Sequence, residues 1–192
     1  MLTVSKNTHL SSVDRAKSPV IPFEKNTISW SMRNGVIMEY KPRGKTFDDL
    51  NIGDEITTMG RTITETDVVN FAGISGDFHP EHINEEYAKR GPLGGRIAHG
   101  LLTVAVATGM VNQTGITEGT TIAVLEMKER FIKAVRFGDT IRSVFRIVDK
   151  KETKKPDRGI VTAALTVLNQ RDEIVLECEI VIMLYRKGYQ PY

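Results

Sequence analysis

The stretch Ser75-Gly76-Asp77-Phe78-His79-Pro80-Glu81-His82 gathers two carboxylates and two imidazoles within one short segment. It lies directly behind the apolar run Val68, Val69, Phe71, Ala72 and Ile74, and His99 follows further on, so three of the chain's four histidines fall between 79 and 99. Three chemistries suit such a cluster. Asp-x-His-x-x-His offers ligand types that zinc or iron accept, although Pro80 between the imidazoles breaks the helical register that would align two ligands on one face. Acid–base catalysis needs only two groups on one small molecule. Asp77 and His82, five apart across a proline turn, can hold a water between them, with the imidazole as proton acceptor near neutral pH. Asp77 would donate a proton only against an apolar wall, which Phe78 and the preceding helix could supply. The plain alternative is a solvated turn in which Asp77 caps a helix and the histidines sit at the surface. No serine has the surroundings of a nucleophile elbow.

These residues need elements to hold them. Gly53-Asp54 reads as a turn, and a strand is predicted from Ile56 to Ile63. Thr64, with Asp67 three residues on, forms a helix-opening pair; the helix carries Val68, Val69, Phe71 and Ala72 and ends between Gly73 and Gly76. The charged stretch then forms a loop, because proline cannot occupy a helix interior. Asn84 caps a short helix, Glu85 to Arg90, and Gly91-Pro92-Leu93-Gly94-Gly95 makes a turn. The segment 99–112, HGLLTVAVATGMVN, is uncharged after His99 and apolar on every side, the pattern of a helix buried all round by a wrapping sheet. The remainder alternates as strands: 121–134, with a bulge, 140–148, 160–168 and 174–185. Turns fall at Gly138-Asp139 and Gln170-Arg171-Asp172. The fold class is therefore α+β, with a curved antiparallel sheet around one long helix. Residues 1–45 form a polar N-terminal extension, flexible or clasping a partner, with Trp30 between Ile28 and Met32 as a short strand or docking arm. The main domain covers 46–188, and 189–192 is a tail.

Composition narrows the function classes. The chain has 192 residues, 40% of them hydrophobic, which suits one globular domain. Twenty-six basic against 24 acidic residues leave a net charge of +2, with no basic stripe of the kind nucleic-acid binders carry. The cluster Lys150, Lys151, Lys154 and Lys155 is interleaved with Asp149, Glu152 and Asp157 and reads as a solvated loop. The one cysteine, Cys178, excludes an intramolecular disulfide and reads as a buried small hydrophobe. No apolar run reaches the roughly 20 residues of a membrane span. With no leader-like N-terminus, a cytoplasmic protein without membrane or nucleic-acid partners is expected.

At the charged stretch the sequence resembles the MaoC-like dehydratases, which include the (R)-specific enoyl-CoA hydratases. Their hallmark, an aromatic residue, a spacer, then Ser/Thr-Gly-Asp-x-Asn-Pro-x-His and a small residue after a gap, matches Phe71, Ser75, Gly76, Asp77, Pro80, His82 and Ala88. His79 stands where the family has Asn, and Glu81 where it has an aliphatic residue. The segments 97–102, IAHGLL, and 130–135, RFIKAV, with Gly138-Asp139-Thr140, are similar to later family motifs, so that the likeness runs from about Phe47 to Lys187. The resemblance implies a single hot-dog domain, a homodimer or higher homo-oligomer, and an acyl-CoA substrate with no metal or organic cofactor. It implies Asp77 and His82 as catalytic dyad and Gly100 as the backbone N–H donor to the thioester carbonyl. Thr108 would orient the dyad, unless its hydroxyl bonds its own helix, and Ser75, His79 and His99 would be supporting residues. The reaction implied is syn hydration of a trans-2-enoyl thioester, or its reverse. The alternatives are a hot-dog thioesterase, a non-catalytic acyl-thioester-binding protein, and metal-dependent hydrolysis through Asp77, His79 and His82.

Overall fold

The computed structural model describes residues 41–191 together with two strands ahead of them, β1 (Ser29–Ser31) and β2 (Ile37–Glu39), which pair antiparallel with each other. The strand expected around Trp30 is thus β1; the expected character of the extension otherwise falls outside the described residues. From Gly44 the chain is tied down, its N–H and that of Lys45 donating to the carbonyls of Glu118 and Ile116.

The predicted strand 56–63 is two short ones, β3 (Glu55–Thr57) and β4 (Arg61–Thr62), both paired with β6 (Thr140–Glu152). The break has a local cause: the Thr58 hydroxyl accepts the Ser143 N–H at 3.0 Å, replacing a backbone acceptor, and Met59 is thrown out to 90% exposure. Helix α1 (Glu65–Ser75) opens on the expected reciprocal cap, Asp67 N–H to Thr64 Oγ1 and Thr64 N–H to the Asp67 carboxylate. It stops at Gly76, whose φ of 76° is the left-handed conformation that glycine adopts without strain. A short helix α2 (Pro80–Ile83) follows, where a loop was predicted. Pro80 occupies its first turn, the one helical place where a missing N–H costs nothing. Asn84 then caps α3 (Glu85–Arg90), its Oδ1 accepting the Tyr87 N–H.

Helix α4 (Gly100–Gln113) runs across a sheet ordered β3-β6-β7-β8-β5, all antiparallel, with β5 (Thr121–Phe131), β7 (Arg158–Leu168) and β8 (Ile174–Tyr185). Phe145, Leu165 and Cys178 are register partners across β6, β7 and β8, and all three are buried. This α+β hot-dog architecture is the one the sequence implied. Burial also lifts the Cys178 thiol above its ordinary range, helped by the charge of Glu129, so the residue acts as core rather than nucleophile.

Two expectations are corrected. Helix α4 is buried on most sides but not all: Leu102, Val106, Ala107, Met110 and Val111 are enclosed, whereas Leu101 is 63% exposed and Ala105 and Asn112 are also open. Among the described residues nothing encloses that stripe. The lysine cluster is not wholly a loop, because β6 continues through Lys150 and Lys151 to Glu152. Lys150 lays its stem on the body, with Nζ over the Phe47 ring and donating to the Leu50 carbonyl, so its charge stays at the rim while its methylenes pack.

Helix and sheet meet at Ala107, fully buried, whose carbonyl accepts the Ser143 hydroxyl at 3.2 Å. Ala107→Leu should overpack this seam and cost about 1–3 kcal/mol, read as a lower urea midpoint at unchanged slope; an unaltered midpoint would contradict the close helix–sheet approach. At the β7–β8 turn, the Asn169 amide, Lys133 and Arg171 hold the Glu173 carboxyl at about 2, below its ordinary 4.5. A depressed carboxyl stabilises the fold above the unfolded value and loses that contribution as pH falls through the folded one. The urea-midpoint gap between wild type and Glu173→Gln should therefore be full near neutral pH and shrink on acidification from about 4.5 toward about 2. A gap that widened on acidification would refute this.

Candidate active site

The charged stretch folds back onto the three residues that lead into α4. Three hydrogen bonds make this clasp. His82 Nδ1 lies 2.9 Å from the Ile97 carbonyl, the Ile97 N–H donates to the Glu81 carbonyl at 3.2 Å, and His99 Nε2 lies 3.0 Å from the Asp77 carbonyl. A carbonyl can only accept, so His82 carries its proton on Nδ1 and His99 on Nε2. The Nε2 lone pair of His82 is left bare.

Asp77 sits in a turn shaped by its own neighbours. The Ser75 hydroxyl donates to the Phe71 carbonyl at 2.7 Å and accepts the Asp77 N–H at 3.2 Å, while Asp77 Oδ1 accepts the His79 N–H. This arrangement lets an aspartate side chain substitute for a backbone turn acceptor. One ligand-type atom from each of Asp77, His82 and His99 lies within 4.8 Å of the others. Such a gap suits one water, which bonds at about 2.8 Å to each side. Phe78, expected as an apolar wall for Asp77, is 56% exposed and lies outside the pocket lining, so it does not enclose the carboxylate.

His79 and His99, both supporting residues by the resemblance, have different places in the structure. His79 is the N-cap of α2, its Nδ1 accepting the Glu81 N–H at a long 3.5 Å. An asparagine oxygen would make the same cap, which accounts for imidazole at that position. His99 is 2% exposed and stacks on His82 with centroids 3.8 Å apart and planes 30° from parallel. Among the described residues, the three-residue cluster is therefore Asp77, His82 and His99, in place of the Asp77, His79, His82 set weighed from the sequence. Nothing in the local sequence announced this stack, since the two rings meet only when the clasp closes.

Asp77, His82 and His99 line a pocket of about 440 Å³ with Gly100, Leu101, Phe131 and Lys133. Gly100 opens α4, so its N–H has no acceptor one turn back, and the His99 side chain makes no capping bond there. A Cβ on Gly100 would come 2.7 Å from the Phe131 ring, so a larger residue there would push the ring off the helix start. Arg96 braces the entrance: it pairs with Glu65 of α1 at 2.6 Å and Glu85 of α3 at 2.9 Å, over the Phe137 ring. Thr108 is not part of this pocket. Its hydroxyl donates to the Val104 and Ala105 carbonyls of its own helix, and it borders a separate cavity of about 180 Å³ with Asn112, Val124 and Met127.

Residues 49–169 match the family model described as "MaoC like domain". Protein MaoC of Klebsiella aerogenes is 36% identical over 119 residues, which make up 62% of this chain but only 34% of that protein. The 3-hydroxybutyryl-CoA dehydratase of Methylorubrum extorquens is 30% identical over 142 residues, covering 73% of this chain and 85% of that one. Among solved structures, the R-hydratase PhaJ1 of Pseudomonas aeruginosa in its unliganded form superimposes with a TM-score of 0.61 at 29% identity, over 72% of this chain and 84% of that one. With the hot-dog sheet, the clasped aspartate–histidine loop and a family match over well above half its length, the chain belongs to the MaoC-like dehydratase family.

Proposed function

We propose that the protein is a hydro-lyase that adds water syn across a trans-2-enoyl-CoA, giving an (R)-3-hydroxyacyl-CoA, and runs the reverse dehydration. The observation that carries this reading is His82, its ring fixed by the Nδ1 bond to Ile97, with a ring nitrogen within 4.8 Å of an Asp77 carboxylate oxygen and beside the open start of α4. In the proposed step His82 takes a proton from a water held with Asp77 as the water oxygen bonds C3. The C2–C3 π electrons move toward the thioester oxygen, where the Gly100 N–H meets the developing charge; such a donor is worth about 3–4 kcal/mol in other oxyanion sites. The pair then returns the proton to C2, so one water is added and neither residue is consumed. The thioester acidifies its own α-position, and the step calls for no metal or organic cofactor. The relatives named as dehydratase and R-hydratase support the same chemistry.

Assembly enters as part of the proposal. β5 is an edge strand of 11 residues with Val124 and Leu125 about half exposed, beside the open stripe of α4. A second copy pairing there would cover both, as edges of this length are seldom left bare.

Purified protein treated with a chelator should remove the conjugated absorbance of crotonyl-CoA without releasing free thiol; thiol release instead would mark a thioesterase. Asp77→Asn and His82→Ala should each lower kcat by roughly 10²–10⁴-fold, the scale of a general acid–base group. Full turnover in both variants would overturn the site assignment.

A further inference from the structure

His99 touches both members of the proposed dyad, and it does so from inside the protein. Its Nε2–H bonds the Asp77 backbone carbonyl at 3.0 Å, its ring face lies 3.8 Å from that of His82, and Phe71 closes on it with centroids 5.0 Å apart. Its Nδ1 is buried and is, among the described residues, the one buried side-chain nitrogen or oxygen without a hydrogen-bond partner. A buried, unpartnered polar atom is destabilising, and an apolar ring of the same shape would avoid it. Packing alone therefore does not account for an imidazole here.

We propose that His99 is a positioning residue for the hydration reaction, setting the backbone of Asp77 with its N–H and the plane of His82 with its ring face; the inference rests on the proposed dyad. The bare Nδ1 follows from the first task, because a neutral imidazole that donates from Nε2 has no proton on Nδ1. The second task has an electrostatic side. When His82 takes the water's proton, its positive ring lies against the face of a neutral aromatic ring rather than against another cation, an arrangement that favours the charged form. The same contact stops the His82 ring from turning about its Nδ1 bond to Ile97. One buried ring thus fixes the separation on which a shared water depends.

Three variants of the full chain separate these roles: His99→Ala removes both contacts, His99→Phe keeps the ring face and loses the N–H, and His99→Gln keeps a donor and loses the ring. Crotonyl-CoA hydration and urea unfolding are measured for each, beside wild type and His82→Ala. For His99→Ala we expect kcat lower by about 10²-fold, the effect of misplacing a group by about 1 Å, with KM within about threefold of wild type. His99→Phe and His99→Gln should each recover part of that loss. If His99→Ala does not fold, the Phe and Gln variants decide: kcat within about threefold of wild type in both overturns the inference. A loss in His99→Ala that merely follows its folded fraction, or no recovery in either ring or donor variant, overturns it too. Full activity in His82→Ala would instead bring down the dyad on which the inference stands, so the two failures are told apart.

Discussion

Everything at the site depends on the clasp between the loop carrying Asp77 and His82 and the segment 97–99. Its three hydrogen bonds use the Ile97 carbonyl, the Ile97 N–H and the His99 ring, so two residues of one short segment, Ile97 and His99, hold the loop that carries both side chains. A net gain of about 1 kcal/mol per bond would not order this loop alone. The remainder comes from what each segment is anchored to. Ala98 donates to the Val135 carbonyl, fixing the segment to the body, and Arg96 ties it to α1 and α3 through two carboxylates. The loop's other end is held where Gly76 stops α1. Geometry at the site is inherited from the segments on either side of it and what each is anchored to.

How much of this was legible in the sequence follows from how local each feature is. The Thr64–Asp67 box and the Asn84 cap each close within three residues, and both could be read before any fold was known. Alternation gave β6, β7 and β8, because one face of each packs on the core. The break at Met59 was not legible, since it turns on the Thr58 hydroxyl finding Ser143 across the sheet. The stack of His82 and His99 was hidden for the same reason: their rings meet only through the clasp, and the metal set weighed from spacing, Asp77, His79 and His82, left His99 out. Thr108 failed differently. It lies two helical turns beyond Gly100, which spacing placed correctly, but a threonine hydroxyl inside a helix readily bonds the carbonyl one turn back, and this one does.

The composition of α4 shows what one chain's sequence can and cannot say. A helix apolar on all sides calls for cover on all sides; what the pattern does not tell is whose atoms would do the covering, and here one stripe stays open. Within the chain the sheet encloses Ala107, Met110 and Val111, while Leu101 and Ala105 remain open next to the β5 edge. The demand for burial written into these residues is larger than the described residues satisfy.

The electrostatics of the pocket point the same way as its geometry. Its charged lining residues are Asp77 and Lys133, and the Lys133 ammonium is engaged by Glu173 at 2.7 Å. No lining cation is thus left unpaired to attract a developing negative charge. What remains is the start of α4, where aligned peptide dipoles leave the equivalent of about half a positive charge at the helix N-terminus. His99, the residue before Gly100, keeps its ring turned inward onto the dyad and spends none of its hydrogen bonds on capping that end. A serine or aspartate there would cap the helix and neutralise the site's fixed positive potential. In the proposed reaction the imidazole would serve the site twice, by what its ring touches and by what its side chain leaves uncapped.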